Sequence, residues 1–235
     1  MYVDLHNHTS FSYDSVNLLG DFERAHRQGK FGLLAVTDHH TVEGASRMRD
    51  LATFPVIVGQ EILTNEGEII GLFIERQVKR DLSPEETVDC IKAQGGLVYV
   101  PHPFMRHAGH ALRYSALVRI LPAVDIIEVH NGGMPVPWPN SAALAFARKH
   151  QIALGAGSDA HMPCEIGVAG VALPDGLNPM ASPTEFLSAL RAGRIHVGDK
   201  PSVLVRVWER LYLMPRRRLF PRMDKVLAGG SDSSQ

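Results

Sequence analysis

Cysteine is scarce in this sequence, and several features that would assign it to a particular class of protein are absent. Its two cysteines, Cys90 and Cys164, are too few for a disulfide framework or for a zinc site built from thiolates. No run of about eighteen apolar residues is present, which excludes a membrane-spanning helix. The chain begins MYVDLHNH, without the basic and apolar segments of a secretory signal. We therefore expect a cytoplasmic protein.

An excess of charge of one sign is also absent, since 24 basic side chains face 25 acidic ones in 235 residues. With 45% hydrophobic residues, the chain is not disordered as a whole and can bury one sizeable core. The charge is unevenly distributed, however. Residues 200–225 carry eight basic and two acidic side chains, so the body is mildly acidic and the C-terminal end is basic.

Short apolar segments alternate with segments of helical periodicity, which predicts an α/β protein with a parallel sheet, open or closed into a barrel. The predicted strands are Tyr2–Leu5, Leu33–Val36, Val56–Val58, Ile69–Ile74, Leu97–Val100, Ile126–Val129 and Ile152–Ala156. The predicted helices are Leu18–Gln28, Thr41–Leu51, Pro84–Ala93, Ala111–Leu121, Asn140–His150 and Thr184–Ala192. Residues 64–68 read as the turn of a hairpin, and Ser83-Pro84 followed by Glu86 reads as a helix start.

Histidine is abundant, with twelve residues or about 5% of the chain, where about 2% is ordinary. Six of the predicted strands end in or beside His, Asp or Glu, in the segments 6–8, 37–40, 59–61, 101–103, 128–131 and 158–161. The carboxyl ends of parallel strands meet on one face of an α/β fold, where sites are built. These side chains are therefore expected to share one pocket.

The spacing of these residues suits a metal site. In His6-x-His8 and Asp159-x-His161, both side chains point to the same face of an extended strand end, because the strand period is two. Each pair alone is a weak signal and could belong to an ordinary polar loop. Together, nitrogen and oxygen donors without thiols suit zinc, manganese or iron.

The ordered motifs of these strand ends resemble those of the PHP (polymerase and histidinol phosphatase) superfamily. They are D-L-H-N-H-T at 4–9, T-D-H-H at 37–40, G-Q-E-I at 59–62, P-H-P-F at 101–104, I-E-V-H-N at 127–131 and G-S-D-A-H at 157–161. The resemblance covers about residues 1–200 and extends into a C-terminal part with I-G-V-A-G-V-A-L and G-R-I-H-V-G. It implies a distorted seven-stranded (β/α) TIM-like barrel with two or three divalent metal ions (Mn, Zn or Fe) in its mouth.

The resemblance also assigns ligands by motif position. One ion would be held by His6, His8, Glu61 and Asp159. A second would be held by Asp14, His39 and His161, with Glu61 bridging, and His102 would serve a third. Members of the family place a further histidine on the strand after the glutamate motif, where this chain has Glu68. Glu68 is expected to substitute as an oxygen ligand, which would favour a harder metal such as manganese.

The expected activity is hydrolysis of a phosphate ester by a metal-activated hydroxide. The substrate class is a small phosphorylated metabolite, a nucleotide or a short oligonucleotide. His40 and His130 are candidates for protonating the leaving group, and Arg106 is a candidate for binding a phosphate oxygen. Two alternatives remain open at this stage: a phosphotyrosine-protein phosphatase, and a non-catalytic metal-binding regulatory module. The intervals between Glu61, His102 and Asp159 are too short for a lid domain, so an open mouth is expected.

The basic end predicts a separate extension. We expect residues 201–227 to pack their apolar side chains on the barrel and leave their arginines in solvent. Pro215 and Pro221 argue against a long amphipathic helix at a membrane surface. The tail 228–235, AGGSDSSQ, is expected to be disordered. The sequence makes no prediction of the oligomeric state.

Overall fold

Strands and helices alternate through the barrel as predicted. The structure, a computed structural model, describes residues 1–105, 110–133, 138–176 and 178–219. The strands in this part are β1 Tyr2–Asp4, β2 Leu33–Val36, β3 Val56–Thr64, β4 Gly67–Leu72, β5 Leu97–Val100, β6 Ile126–Asn131, β7 Ala153–Gly157, β8 Ala169–Ala172 and β9 Arg194–Val197. The α-helices are α1 Leu19–Arg27, α2 Glu43–Leu51, α3 Pro84–Lys92, α4 Tyr114–Ile120, α5 Trp138–Lys149, α6 Pro183–Ala192 and α7 Val203–Leu219.

The nine strands of the described residues belong to one sheet of the order β7-β6-β5-β4-β3-β2-β1-β8-β9. The pairs β1–β2, β2–β3, β5–β6 and β6–β7 are parallel, whereas β4 runs antiparallel to both of its neighbours. This pattern confirms the distorted α/β barrel, with the predicted hairpin between β3 and β4. The described part has nine strands rather than the predicted seven. The sequence missed β8 and β9 because they are short and become strands by pairing, β8 with β1 and β9 with β8.

The barrel closes between the ends of β1 and β7. Leu5 N donates to Ala156 O at 3.2 Å, and Asp159 N donates to His6 O at 2.8 Å. Asp4 strengthens this junction, because its carboxylate accepts hydrogen bonds from both the amide and the hydroxyl of Ser158. The first predicted ligand pair, on the extension of β1, is thereby held against the last one, which follows β7.

The core shows why the strands are apolar throughout. Leu33 and Ala35 of β2 belong to the cluster inside the barrel, whereas Leu34 and Val36 pack among α1 and α2 outside it. Both faces of such a strand are buried, as expected of a parallel sheet covered by helices. The helix start at Ser83 is also confirmed: Ser83 Oγ accepts from Glu86 N, and Glu86 Oε2 accepts from Ser83 N.

Gly157 allows the closure of the barrel, and we expect Gly157→Ala to lower the free energy of unfolding by about 2–3 kcal/mol. A Cβ at this position would lie 2.7 Å from His6 N and closer still to His6 Cβ, so β1 would have to move away. Urea unfolding measures the effect. Gly20→Ala is the matched control, because a Cβ there meets nothing within 4 Å and should stabilise the protein by about 0.5 kcal/mol. Equal stabilities of the two variants would contradict this account of the junction.

The C-terminal extension differs from its prediction. Residues Val203–Leu219 form one helix, α7, with Pro215 inside it, since a proline removes one backbone hydrogen bond and the remaining bonds continue the helix. The expected apolar packing on the barrel is not found for Val203, Leu204 and Leu211, which are more than 70% exposed. Residues 220–227 and the predicted disordered tail 228–235 lie outside the described residues. Among the described helices, none has the length and apolar character needed to cross a membrane.

Candidate metal centre

Four predicted ligands converge from the segments that follow β1 and β7 and from within β3. His6 Nε2 lies 3.1 Å from His8 Nε2, 3.2 Å from Glu61 Oε2 and 3.5 Å from Asp159 Oδ1. His8 Nε2 lies 3.3 Å from Glu61 Oε2 and 3.4 Å from Asp159 Oδ1. Atoms that bind one ion at about 2.1 Å are about 3.0–3.4 Å apart. These separations are therefore those of a shared ligand set.

A second cluster lies beside the first and opens towards solvent. Asp14 Oδ2 is 3.4 Å from His39 Nε2 and 3.3 Å from His161 Nε2. The side chains of Asp14 and His161 are each 26% exposed, whereas those of His6 and His8 are fully buried. Access to the centre is therefore from the side of Asp14 and His161.

Glu61 joins these clusters to a third group of donors. Its Oε2 faces His6 and His8, and its Oε1 lies 3.2 Å from His102 Nε2. Glu68 Oε2 lies 3.7 Å from the same histidine nitrogen, and Glu68 Oε1 is 3.9 Å from His39 Nδ1. The structure thus brings Glu68, which replaces the family's histidine, to the same place as His102.

The histidine rings are oriented by groups outside the clusters. The Nδ1 atom of His6 lies 3.2 Å from Glu128 Oε1, that of His8 lies 3.1 Å from Ser12 Oγ, and that of His161 lies 2.9 Å from Asp159 O. When Nδ1–H donates to such an acceptor, the lone pair of Nε2 is left facing the cluster, which is the usual arrangement of a metal-binding histidine. The residues present therefore fit divalent metal ions.

Glu128 lies at the centre of this outer network. It was not singled out as a functional residue from the sequence. Besides His6, its carboxylate accepts hydrogen bonds from Tyr99 OH at 2.8 Å, His102 N at 2.6 Å and Asn131 Nδ2 at 2.9 Å. Asn131 Nδ2 also lies 3.2 Å from Asp159 Oδ2. The available signal was a carboxylate inside an apolar run, since a buried charge needs partners.

The electrostatics of the protein without bound ions point to the same conclusion. Burial lowers the pKa of His102, but the hydrogen bond and charge of Glu61 outweigh it and raise the pKa to about 9. Burial raises the pKa of Glu61, but the charges of His6 and His39 hold it well below its usual range. Burial and the neighbouring Glu61 raise the pKa of Glu68 to about 8. In the protein without metal, protonated histidines therefore supply the positive charge that balances these carboxylates.

We expect metal binding to release protons at pH 7. The pKa of His39 is raised to about 8 and that of His161 to about 9, because nearby carboxylates, chiefly Glu61 and Asp14 respectively, outweigh burial. These histidines are protonated at pH 7 and must lose the proton to bind a cation, so the apparent affinity should rise about tenfold per pH unit per released proton, up to about pH 9. Without metal, their charged forms stabilise the fold below pH 6.5, and this contribution is lost as pH rises through 8 to 9.

Calorimetric titration of the metal-free protein with Zn²⁺ or Mn²⁺ in buffers of different ionisation enthalpy measures the release. Comparison of pH 7 with pH 9.5 provides the control, because few protons remain to be displaced at the higher pH. Binding without proton release at pH 7 would show that the histidines are neutral in the folded protein.

Of the three other predicted residues, the structure describes His40 and His130. His40 follows His39, has a positive φ of 61°, and its Nδ1 is buried without a hydrogen-bond partner. His130 is turned towards α5, where its Nδ1 lies 3.3 Å from Asn140 Nδ2, while the next residue, Asn131, reaches the metal cluster. Arg106 lies outside the described residues. Two predicted ligands, His102 and Asp159, also have positive φ, 28° and 51°, a local strain typical of functional sites.

A cavity of about 310 Å³ lies next to this centre, between the loop after β1 and helix α2. Its lining includes Phe11, Leu18, Met48 and Arg47, and none of the nine predicted ligands contributes to it. The candidate site is therefore identified by the convergence of the predicted metal ligands and not by this cavity.

The chain is similar to known proteins over most of its length. The family model described as PHP-associated matches residues 137–195. An uncharacterized protein of Methanocaldococcus jannaschii is 34% identical over 201 residues, which are 81% of this chain and 79% of that protein.

Two solved structures have a similar fold. One is a two-domain protein from Bacteroides vulgatus containing a predicted PHP-like metal-dependent phosphoesterase, with a TM-score of 0.61 and 18% identity, over 84% of this chain and 65% of that one. This chain therefore covers less than two thirds of that protein. The other is endonuclease Q with a duplex carrying an abasic lesion, with a TM-score of 0.61 and 14% identity, over 85% of this chain and 60% of that one. The sequence matches, together with this fold, show that the chain belongs to the PHP superfamily.

Proposed function

We propose that this protein is a metal-dependent phosphoesterase that hydrolyses a phosphate ester of a small metabolite, a nucleotide or a short oligonucleotide. The observation that carries the proposal is the position of Glu61, whose two oxygens face two adjacent donor clusters. A carboxylate so placed can hold two cations close together, as phosphoryl transfer requires.

Two or three divalent ions, of manganese, zinc or iron, are the proposed cofactors. His6, His8, Glu61 and Asp159 would hold the first, and Asp14, His39 and His161 the second. Glu61, Glu68 and His102 would hold the third, where the additional carboxylate favours manganese. When bound, such ions neutralise charge on a phosphate group and make a water molecule more acidic.

The chain's own residues would bind and orient the substrate. The entrance beside Asp14 and His161 would admit the phosphate group, and Arg106 is proposed to donate hydrogen bonds to one of its oxygens. His40 is proposed for proton transfer to the leaving group, whereas the orientation of His130 towards α5 argues against the same role for His130. Burial, with the charge of Arg80, lowers the pKa of His40, so its imidazole is neutral at pH 7 and would have to take up a proton before passing it to the leaving group.

A substrate series tests the proposal. The protein loaded with Mn²⁺ or Zn²⁺ is incubated with an aryl phosphomonoester and an aryl phosphodiester, then with phosphorylated metabolites, nucleotides and oligonucleotides of increasing length. We expect hydrolysis that disappears with a chelator and with Asp159→Ala.

Activity confined to phosphotyrosine peptides would favour the phosphatase alternative. Full metal occupancy without hydrolysis of any ester would show a non-catalytic metal-binding module instead. The structure of endonuclease Q holds a duplex substrate at its active site, and cleavage of oligonucleotides by this protein would place its substrate near that of this structural neighbour.

A further inference from the structure

The contact between helix α7 and the barrel is polar. Arg206 Nη2 lies 2.8 Å from Glu165 Oε1, and Cys164 N donates to Glu209 Oε2 at 3.0 Å. Among the side chains of this helix that the structure describes, Arg206, Glu209 and Leu213 are partly buried. Their spacing of three and four residues places them on one face, so the polar face of α7 is turned towards the protein.

The apolar face of α7 is turned away from the protein. Five side chains of this face are 48–82% exposed: Val203, Leu204, Val207, Trp208 and Leu211. Trp208 stacks on Tyr212, with ring centroids 4.9 Å apart. An amphipathic helix of a globular protein normally buries its apolar stripe against the core. The reversed orientation leaves a continuous apolar surface, which is a mark of an interaction site.

The charge of the helix indicates what covers this surface. Within α7 there are five arginines and one glutamate. Arg206 is engaged by Glu165, but Arg210 is exposed and residues 216–218 form an arginine run in the last turns. Apolar and aromatic residues combined with several cations match an anionic lipid surface, which offers hydrocarbon beneath negative headgroups. A nucleic acid would not cover the aliphatic side chains.

We propose that α7 lies on an anionic lipid bilayer, with Leu204, Trp208 and Leu211 at the boundary between headgroups and acyl chains. The helix is about 25 Å long at 1.5 Å per residue. It is attached beside the metal centre, because Glu165 also accepts hydrogen bonds from the backbone N–H groups of His161 and Met162. Lipid binding therefore holds the entrance of the centre near the membrane surface.

Vesicle flotation tests the proposal with the full-length protein. Vesicles of phosphatidylcholine alone are compared with vesicles containing 30% phosphatidylserine. We expect the protein to float only with the second type, to be released by high salt, and to show a shift of Trp208 emission to shorter wavelength in a Trp138→Phe background.

Three variants separate the contributions. Leu211→Glu should weaken binding about tenfold or more, because it removes a large apolar side chain from the interface. Arg210→Gln should weaken binding to anionic vesicles about fivefold. Val118→Glu is the control, since it adds the same charge at an exposed apolar position of α4, 47% exposed, and should bind within twofold of the parent.

Other results would overturn the proposal. Binding that Leu211→Glu leaves unchanged would show adsorption by charge alone. A dimer in sedimentation velocity that Leu211→Glu dissociates would show that a second copy of the chain covers the apolar face. Absence of binding to both types of vesicle, with the protein folded by circular dichroism, would exclude a lipid surface.

Discussion

Glu61→Gln should reduce hydrolysis of an aryl phosphate at least about a thousandfold and remove at least one metal ion per chain. The reason is the shared position of the carboxylate, whose Oε2 lies 3.2 Å from His6 Nε2 and whose Oε1 lies 3.2 Å from His102 Nε2. Glutamine has nearly the same shape but lacks the charge and one of the two acceptor oxygens. Metal content measured by plasma mass spectrometry, together with the initial rate, reports both effects.

Glu75→Gln is the matched control for this substitution. Glu75 is an exposed glutamate that pairs with Arg49 at 2.8 Å, and such surface pairs contribute little to stability. Its metal content and rate should equal those of the parent protein. If Glu61→Gln retained full metal occupancy and rate, the shared carboxylate would have no part in the chemistry, and the proposed function would lose its main support.

Glu128→Ala should weaken metal binding about 10–100-fold and lower the free energy of unfolding by about 3 kcal/mol. Glu128 is fully buried and touches no proposed ion, but it orients His6 through Nδ1 and accepts from the backbone of His102. Its removal leaves several buried donors without an acceptor. Metal titration and urea unfolding of the metal-free protein measure the two losses separately.

Tyr99→Phe distinguishes orientation of the ligands from general stability. It removes one of the donors to Glu128, the hydroxyl at 2.8 Å, and leaves the contact with His6 in place. We expect a cost of about 1 kcal/mol and nearly unchanged metal affinity. If Glu128→Ala and Tyr99→Phe lost metal affinity equally, Glu128 would not be a positioning residue for His6.

Much of the centre could be predicted because its parts are local. Six of the nine predicted ligands come soon after the end of a short apolar strand, and the spacing His6-x-His8 orients two side chains within three residues. The hairpin turn at 64–68 and the helix N-cap at Ser83 could likewise be predicted from a few neighbouring residues. Glu68 was recognised by its place after the glutamate motif, and the structure brings it 3.7 Å from His102.

Some of the residues that orient the predicted ligands by hydrogen bonds lie far from them in the sequence. Glu128 lies 122 residues from His6 in sequence, and its inward orientation, like that of Asn131, depends on an irregularity of register between Glu128 and His130 in the pairing of β6 with β7. The same irregularity turns His130 towards α5. The short strand β8 also depends on distant pairing with β1, and β9 on pairing with β8; the closure at Gly157 likewise depends on β1.

The sequence by itself determined the alternation of strands and helices and the donor residues at the strand ends, because periodicity and spacing act over a few residues. The tertiary structure alone decided that these donors meet around Glu61, that Glu128 holds them, and that α7 turns its apolar face outward. Each of these depends on contacts between residues far apart in the chain, such as Arg206 with Glu165, which no local pattern contains.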